Sequence, residues 1–169
     1  MERKLLILFF ALMLNYSLFA QEHEHQHNDN HEYDHEKEHR HNHEIGVSVG
    51  PVYFFNEEEL SFATHLHYTY SFPESNFGLG VGYERIFDEH KHNFIGIELS
   101  YRIIHPLMIS ISPGVVFEGA ESGEAGFGVH TEVVYEFELG AFHVGPMAEL
   151  AWHPEDWHLS LGVHIGLGF

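Results

Sequence analysis

Apolar and polar residues alternate with a period of two from Glu44 to the last residue, and this pattern constrains the fold more than any other feature. From Trp157 to Phe169 every second residue is large and apolar, and the residues between them are Gly, Ser or His. Alternation of this kind places successive side chains on opposite faces of a β-strand. Because no helical period competes after residue 44, the sequence predicts an all-β protein.

Turn-forming residues divide this region into eight alternating segments of roughly ten to twelve residues. Short links alternate with acidic ones, which are also short, and such alternation is typical of an antiparallel up-and-down arrangement. The predicted strands are Glu44–Phe55, Ser61–Ser71, Phe77–Phe87, Asn93–Ile104, Leu107–Glu118, Phe127–Glu138, Phe142–His153 and Trp157–Phe169.

The number of bulky side chains decides which face of this sheet points outward. About 40 large aliphatic or aromatic residues lie on the apolar phase, whereas an eight-stranded barrel encloses room only for small and medium side chains. The opposite phase consists of Gly, Ser, Ala, His and Glu, which a narrow polar lumen accommodates. The sequence therefore predicts an eight-stranded transmembrane barrel with its apolar face in lipid, and aromatic residues toward the strand ends fit interfacial girdles.

The first 20 residues have the features of a secretory signal peptide. Arg3 and Lys4 precede an apolar run from Leu5 to Leu14, and a short polar break leads to Ala20. Ten apolar residues are too few for a spanning helix, which needs about 20. We expect cleavage after Ala20 and export of residues 21–169.

Residues 21–43 are rich in histidine and acidic residues and are expected to be disordered, because such a segment cannot bury enough surface to fold. A flexible chain with many imidazoles can bind Zn(II), Ni(II), Co(II) or Cu(II), although it imposes no geometry that selects one metal. The alternative is a solvated spacer. The candidate metal ligands of this segment are His23, His25, His27, His31, His35, His39, His41 and His43.

Charge and cysteine content narrow the possible functions. The chain has 26 acidic residues against 7 lysines and arginines, a formal net charge of −19, and this field repels nucleic acid. With no cysteine, any metal must be held by His, carboxylate or Met.

Residues 44–169 resemble a small eight-stranded outer-membrane barrel of the OmpX/OmpA-like class. The resemblance rests on the signal peptide, the eight alternating segments, and a closing segment, Trp157 to Phe169, that matches the terminal-aromatic signature of barrel proteins. It implies a monomer in the bacterial outer membrane, in contact with lipid and lipopolysaccharide, inserted by the outer-membrane assembly machinery. An even number of strands places both termini in the periplasm.

Three prolines depart from the pattern of a closed barrel, which has no edge where a missing N–H group is free. Pro51, Pro113 and Pro146 all lie on the apolar phase. Each predicts a bulge, a strand end or a shifted boundary.

The polar phase carries candidate residues for a second metal site. Pairing the hairpins by their turns places Glu132 opposite Glu149 and His164 across from Met147. We therefore expect His130, Glu132, Glu149 and His164 to converge near the middle of the lumen, where two imidazoles and two carboxylates suit a divalent cation.

Other lumen residues admit further interpretations. Satisfied hydrogen bonds are the alternative to metal binding, and Arg102 is expected to pair with Glu98 and with one carboxylate across the lumen. Weaker metal candidates are the pair His65 and His67, and the pair His153 and His158.

The sequence thus predicts a non-enzymatic outer-membrane barrel that binds divalent metals at the cell envelope. The alternatives are a structural or surface-interaction barrel whose His-rich segment is only a spacer, a narrow pore, and a lipid A-modifying enzyme. The enzyme reading rests on the His-x-Ser spacing of His158 and Ser160, which resembles that of lipid A deacylases. Both residues fall on the lumen phase and not on the lipid face, which disfavours it.

Overall fold

The computed structural model describes residues 41–118, 125–154 and 156–169. None of these residues forms a helix long and apolar enough to cross a membrane. All regular structure is antiparallel β-sheet. The strands are β1 His43–Phe54, β2 Glu59–Ser71, β3 Phe77–Ile86, β4 Asn93–Ile104, β5 Leu107–Phe117, β6 Ala125–Tyr135, β7 Phe137–Leu139, β8 Phe142–Trp152 and β9 Trp157–Gly168.

The sheet closes on itself as an eight-stranded barrel. Each strand pairs with the next along the chain, and β1 pairs with β9. The short strand β7 continues β6 on the same edge of β8 with the same register, so the two form one barrel strand interrupted at Glu136. The predicted eight-stranded up-and-down barrel is confirmed, with strand bounds close to those predicted.

The two faces of the barrel differ as predicted. Along β4, for example, Ile95, Ile97 and Leu99 are each more than half exposed, while the intervening Glu98 and Ser100 are buried. In all, 36 large apolar side chains among the described residues are exposed. A soluble monomer rarely exposes contiguous apolar patches above a few hundred Å², so this belt is a surface for lipid.

Aromatic rings mark both rims of the apolar belt. At the end that carries the chain termini, Phe77 lies 4.8 Å from Tyr101 between ring centroids. At the opposite end, Trp152 lies 6.3 Å from Trp157, and Tyr53 contacts Phe55. Rings at these depths place polar tips toward the headgroups, as in the girdles of membrane barrels.

The prediction of bulges or strand ends at the prolines is wrong. Pro51, Pro113 and Pro146 lie inside β1, β5 and β8, and the register on both sides of each is unbroken. The reason is that a strand residue directs its N–H and C=O groups toward one neighbour only. Each proline pairs normally on one side and leaves a gap in the ladder on the other, and the gap at Gly145 and Pro146 lies opposite Tyr135 and Glu136.

The two ends of the barrel are distinguished by their connections. One end carries the first residue of β1 and the last residue of the chain, since His43 and Phe169 exchange two backbone hydrogen bonds of 2.9 and 3.1 Å, together with the short links after β2, β4 and β7. We call it the terminal end. The other, the loop end, carries the links after β1, β3, β5 and β8.

Candidate metal centre

The lumen is lined by ionisable side chains that the strand alternation turns inward. Buried or half-buried carboxylates alternate with imidazoles from one end to the other. Charged groups in such a setting are costly unless they are paired, protonated or bound to a metal. The carboxylates are those of Glu44, Glu84, Glu98, Glu132, Glu136 and Glu149, and the imidazoles are those of His65, His67, His130, His143, His158 and His164.

A salt bridge neutralises one of these carboxylates. The Nη1 atom of Arg102 donates to the Oε2 atom of Glu136 over 2.7 Å. Among the described residues, Arg102 is the only lysine or arginine seen in an ion pair with a lumen glutamate. The predicted pairing with a carboxylate across the lumen is thus found, but Glu98 accepts a 3.2 Å hydrogen bond from Thr69.

Four residues near the terminal end form what we call the terminal cluster: Glu44, His67, His143 and His164. The Oε1 atom of Glu44 lies 3.4 Å from Nε2 of His67 and 3.5 Å from Nε2 of His164. Its Oε2 atom accepts a 2.8 Å hydrogen bond from Nδ1 of His143. The rings of His67 and His164 stack in parallel, with centroids 5.1 Å apart.

The central cluster lies farther along the lumen. Its members share burial, with at most 3% exposure, and all project from the inward phase of five strands. They are His65 of β2, Glu84 of β3, His130 and Glu132 of β6, Glu149 of β8, and His158 of β9.

Nitrogen and oxygen atoms approach one another throughout the central cluster. Nδ1 of His130 lies 3.3 Å from Oε2 of Glu149 and 3.9 Å from Oε1 of Glu84. Nδ1 of His65 lies 3.8 and 3.9 Å from carboxylate oxygens of Glu132 and Glu149. Two sets of three ligands, one around Glu84 and one around Glu149, each have their donor atoms within 4.8 Å of one another.

Most of these close pairs are not hydrogen bonds. Both ring nitrogens of His65 and of His158 lack a hydrogen-bond partner, and so does Nδ1 of His130. The same holds for Oε1 of Glu84 and for Oε2 of Glu132 and of Glu149. Buried polar atoms normally have hydrogen-bond partners. A ligand or a proton between these atoms would therefore remove the free-energy cost of burying them unpaired.

Further histidines lie between the central cluster and the loop end. The ring of His153 lies 6.0 Å from that of His158 and 5.6 Å from that of His92. Nδ1 of His92 is hydrogen-bonded to Asp88. The predicted pair His153 and His158 is thus adjacent, whereas the predicted pair His65 and His67, with rings 5.6 Å apart, divides between the central and terminal clusters.

The predicted convergence of four side chains in the middle of the lumen is found in part. Glu132 pairs with Glu149 across β6 and β8 as predicted, and His130 lies beside Glu149. His164 does not join them, because it is opposite Gly145 and not Met147. That difference of two residues moves it one layer toward the terminal end.

Sequence reasoning missed Glu44 as a lumen residue. The alternation predicts only that Glu44 begins the first strand. Glu44 nevertheless lies on the same strand phase as Gly46 and Ser48, and this phase faces inward. Its position two and four residues before these small residues was the available signal. His65 and His158 are predicted to face the lumen, but the sequence does not predict that they share one cluster with Glu84.

Most of the predicted histidine-rich segment, including His23, His25, His27, His31, His35 and His39, lies outside the described residues. His43 is the first residue of β1, where its Nδ1 atom is 2.7 Å from the hydroxyl of Tyr68 and its ring stacks on Phe169. His41 lies next to Gly168 at the terminal end. The barrel thus begins one residue before the predicted boundary.

His158 and Ser160, which resemble the His-x-Ser pair of lipid A deacylases, both face the lumen. Each is at most 3% exposed, and Ser160 donates a 3.4 Å hydrogen bond to Glu149. Lipid on the outside of the barrel does not reach either side chain.

Comparison with known proteins identifies the fold and nothing finer. No family model and no curated protein match the sequence. A solved structure described as "De novo design of transmembrane beta-barrels" is similar over 76% of this chain and 98% of its own, with a TM-score of 0.53 and 15% identity. Neisserial surface protein A (NspA) covers 76% of this chain and 97% of its own, with a TM-score of 0.52 and 10% identity. Strands, faces and likeness together define an eight-stranded transmembrane β-barrel.

Proposed function

We propose that this protein is a non-enzymatic bacterial outer-membrane barrel that binds divalent transition-metal ions, with Zn(II), Ni(II), Co(II) and Cu(II) as the candidate metals. Ions bind in the lumen, and residues 21–43 collect them on the periplasmic side. Metal buffering, sensing or delivery at the envelope follows from such binding.

The central cluster carries the proposal. Glu84, Glu132 and Glu149 bring three carboxylates into a buried layer, where their ion-pair partners among the described residues are all histidines. The charge is therefore balanced by protons on the imidazoles or on a carboxylate, or by a cation between the ligands. Neutral imidazole and carboxylate are together the ligands that borderline divalent metals prefer when no thiolate is present.

The spacing of the donor atoms favours a metal over a network of protons. Charge-assisted hydrogen bonds between imidazolium and carboxylate have lengths of about 2.7–2.9 Å. The separations in the central cluster are 3.3–3.9 Å. Ligand atoms that share a tetrahedral metal, each about 2.0–2.2 Å from it, lie about 3.3–3.6 Å apart. The 3.3 Å separation of His130 and Glu149 falls in this range, and the other four, at 3.7–3.9 Å, are slightly longer.

The cellular location is proposed on independent grounds. The likeness to Neisserial surface protein A and the apolar belt support an outer-membrane address, and the N-terminal hydrophobic run supports export. A periplasmic position for both termini agrees with their short-turn end of the barrel.

Equilibrium dialysis of the refolded mature chain (residues 21–169) against Zn(II) tests the proposal. A matched variant replaces His23, His25, His27, His31, His35 and His39 by serine, which removes ligands without touching the barrel. We expect both proteins to bind zinc at micromolar concentration or tighter, the variant with fewer ions. If neither protein binds Zn(II), Ni(II) or Cu(II) in this range, the proposal fails.

A second candidate function is a structural or surface-interaction barrel with a spacer segment. Its support is the filling of the lumen: the cavity beside His130 and His158 has a volume of about 10 Å³, room for about one water molecule. The same observation disfavours a narrow pore. Zinc binding by the serine variant above would distinguish a metal-binding lumen from this alternative.

A further inference from the structure

We propose that Glu44, His67 and His164 form a transition-metal site of their own at the terminal end of the lumen. Its ligands are separate from the central cluster, and its ion is a borderline divalent cation such as Zn(II). The inference rests on the proposed function for the class of ion. It adds to the lumen a second site with two imidazole ligands and one carboxylate ligand.

The distances between the three donor atoms fit a shared ion better than they fit hydrogen bonds. Oε1 of Glu44 makes a long hydrogen bond of 3.4 Å with Nε2 of His67 and lies 3.5 Å from Nε2 of His164. Both distances exceed the length of about 2.7–2.9 Å expected for an imidazolium–carboxylate hydrogen bond. They match the edge of a ligand tetrahedron around zinc, which is about 3.4 Å when each bond is about 2.0–2.1 Å.

His164 has the environment of an oriented metal ligand. Its side chain is fully buried, and its Nδ1 atom lies 3.2 Å from the hydroxyl of Ser48. Its Nε2 atom, which faces Glu44, has no hydrogen-bond partner. When Nδ1–H donates to Ser48, the lone pair of Nε2 faces a carboxylate oxygen, and a cation between them removes that repulsion. Metal-bound histidines are commonly held through their other nitrogen in this way.

The carboxylate of Glu44 is held by its second oxygen. Nδ1 of His143 contacts Oε2 over 2.8 Å, which leaves Oε1 directed at His67 and His164. Three protein ligands with a fixed outer contact and a fourth position for water correspond to an open zinc site.

Two glycines keep the space beside these ligands open. A Cβ atom at Gly166 would lie 3.0 Å from both Oε1 of Glu44 and Nε2 of His164. A Cβ atom at Gly46 would lie 2.3 Å from Nε2 of His67. A methyl group at Gly166 therefore enters the space between two of the ligands while all three ligands remain in the sequence.

The site is close in sequence to the histidine-rich segment. Glu44 directly follows residues 21–43, and His43 already belongs to the strand on which Glu44 lies.

The test counts zinc ions bound to the refolded mature chain with the six arm histidines replaced by serine, which serves as the parent. Gly166→Ala is compared with Gly126→Ala, a matched change whose Cβ atom would meet only Pro154, at 3.9 Å. We expect the first to lose one zinc equivalent, or to bind it at least about 100-fold more weakly, and the second to match the parent. Loss of heat-modifiable gel mobility identifies any variant that fails to fold.

Two further variants keep the outcomes distinct. His164→Gln removes a ligand and is expected to lose the same equivalent as Gly166→Ala, so it decides the matter if Gly166→Ala does not fold. Glu149→Gln is expected to lose only the central equivalent. If Gly166→Ala and His164→Gln both keep the full zinc content while Glu149→Gln loses one ion, this inference is overturned and the proposed function stands. If the parent binds no zinc, this inference and the proposed binding in the lumen are both overturned, and zinc bound by the mature chain is then held by the histidine-rich segment alone.

Discussion

The Arg102–Glu136 pair and the central cluster show two ways in which the same lumen holds buried carboxylates. Glu136 has a guanidinium 2.7 Å away, a permanent partner that no change in solution removes. In the central cluster the ion-pair partners of Glu84, Glu132 and Glu149 among the described residues are all imidazoles, at 3.3–3.9 Å.

The Arg102–Glu136 pair and the central cluster are suited for different roles. A guanidinium remains protonated at all ordinary pH values, whereas an imidazole exchanges a proton or takes a metal near neutral pH. The first arrangement therefore stabilises the barrel, and the second leaves charge to be balanced by something that arrives from outside. The following predictions test that division.

Removal of the permanent partner should have the largest effect. Arg102→Gln leaves the carboxylate of Glu136 buried without its counter-charge, which is expected to lower the free energy of unfolding by about 3–5 kcal/mol. Urea unfolding in lipid vesicles, followed by tryptophan fluorescence, measures this loss. The loss should be the same with and without zinc.

The double variant Arg102→Gln with Glu136→Gln is the control for that loss. With both charges gone, most of the lost stability should return. A double variant as unstable as Arg102→Gln alone would show that Arg102 acts through packing and not through charge.

Loss of a central carboxylate should instead remove a zinc-dependent increment of stability. One bound ion at about 100-fold excess over its Kd stabilises a protein by about 2.7 kcal/mol. We expect Glu149→Gln to lose that increment for the central cluster while its zinc-free stability does not fall. Unfolding curves with and without zinc check both statements, and an increment equal to that of the parent would mean that protons alone balance this cluster.

Removal of an outer contact at the Glu44 site should have a smaller effect. Ser48→Ala deletes the hydroxyl beside Nδ1 of His164 but keeps all three ligands, so zinc affinity there should fall about 10- to 100-fold. Competition with a zinc-binding dye measures the change. Ser110→Ala, a buried lumen serine on another strand, is the matched control and should leave the affinity of the Glu44 site unchanged.

The smallest effect on the lumen is expected from the histidine-rich segment. Serine at His23, His25, His27, His31, His35 and His39 should lower the number of ions bound but leave the zinc affinities of both lumen sites unchanged. The same competition assay checks this. A fall in lumen affinity would show that these histidines contribute ligands to the lumen sites.

The sequence predicted the barrel well because strand alternation is a local property. The exposed Ile95, Ile97 and Leu99 and the buried Glu98 follow directly from a period of two. Strand bounds followed from turn chemistry. The prolines were misjudged because their effect depends on which neighbour faces the absent N–H group, which the sequence alone does not reveal.

The sites were harder to predict because they depend on register across several strands. Glu132 and Glu149 lie in neighbouring strands, and their pairing was predicted correctly. His164 was assigned to the wrong layer by two residues, and Glu44 contacts it only through the closure of β1 on β9. Contacts across the lumen require the stagger of the whole barrel, which no single hairpin determines.

Anomalous X-ray diffraction at the zinc absorption edge tests directly whether zinc binds inside the lumen. The crystals contain the refolded mature chain (residues 21–169) loaded with zinc. We expect anomalous density inside the barrel, among Glu44, His67 and His164 and within the central cluster. Zinc found only on the histidine-rich segment or on the outer loops, with none in the lumen, would contradict it.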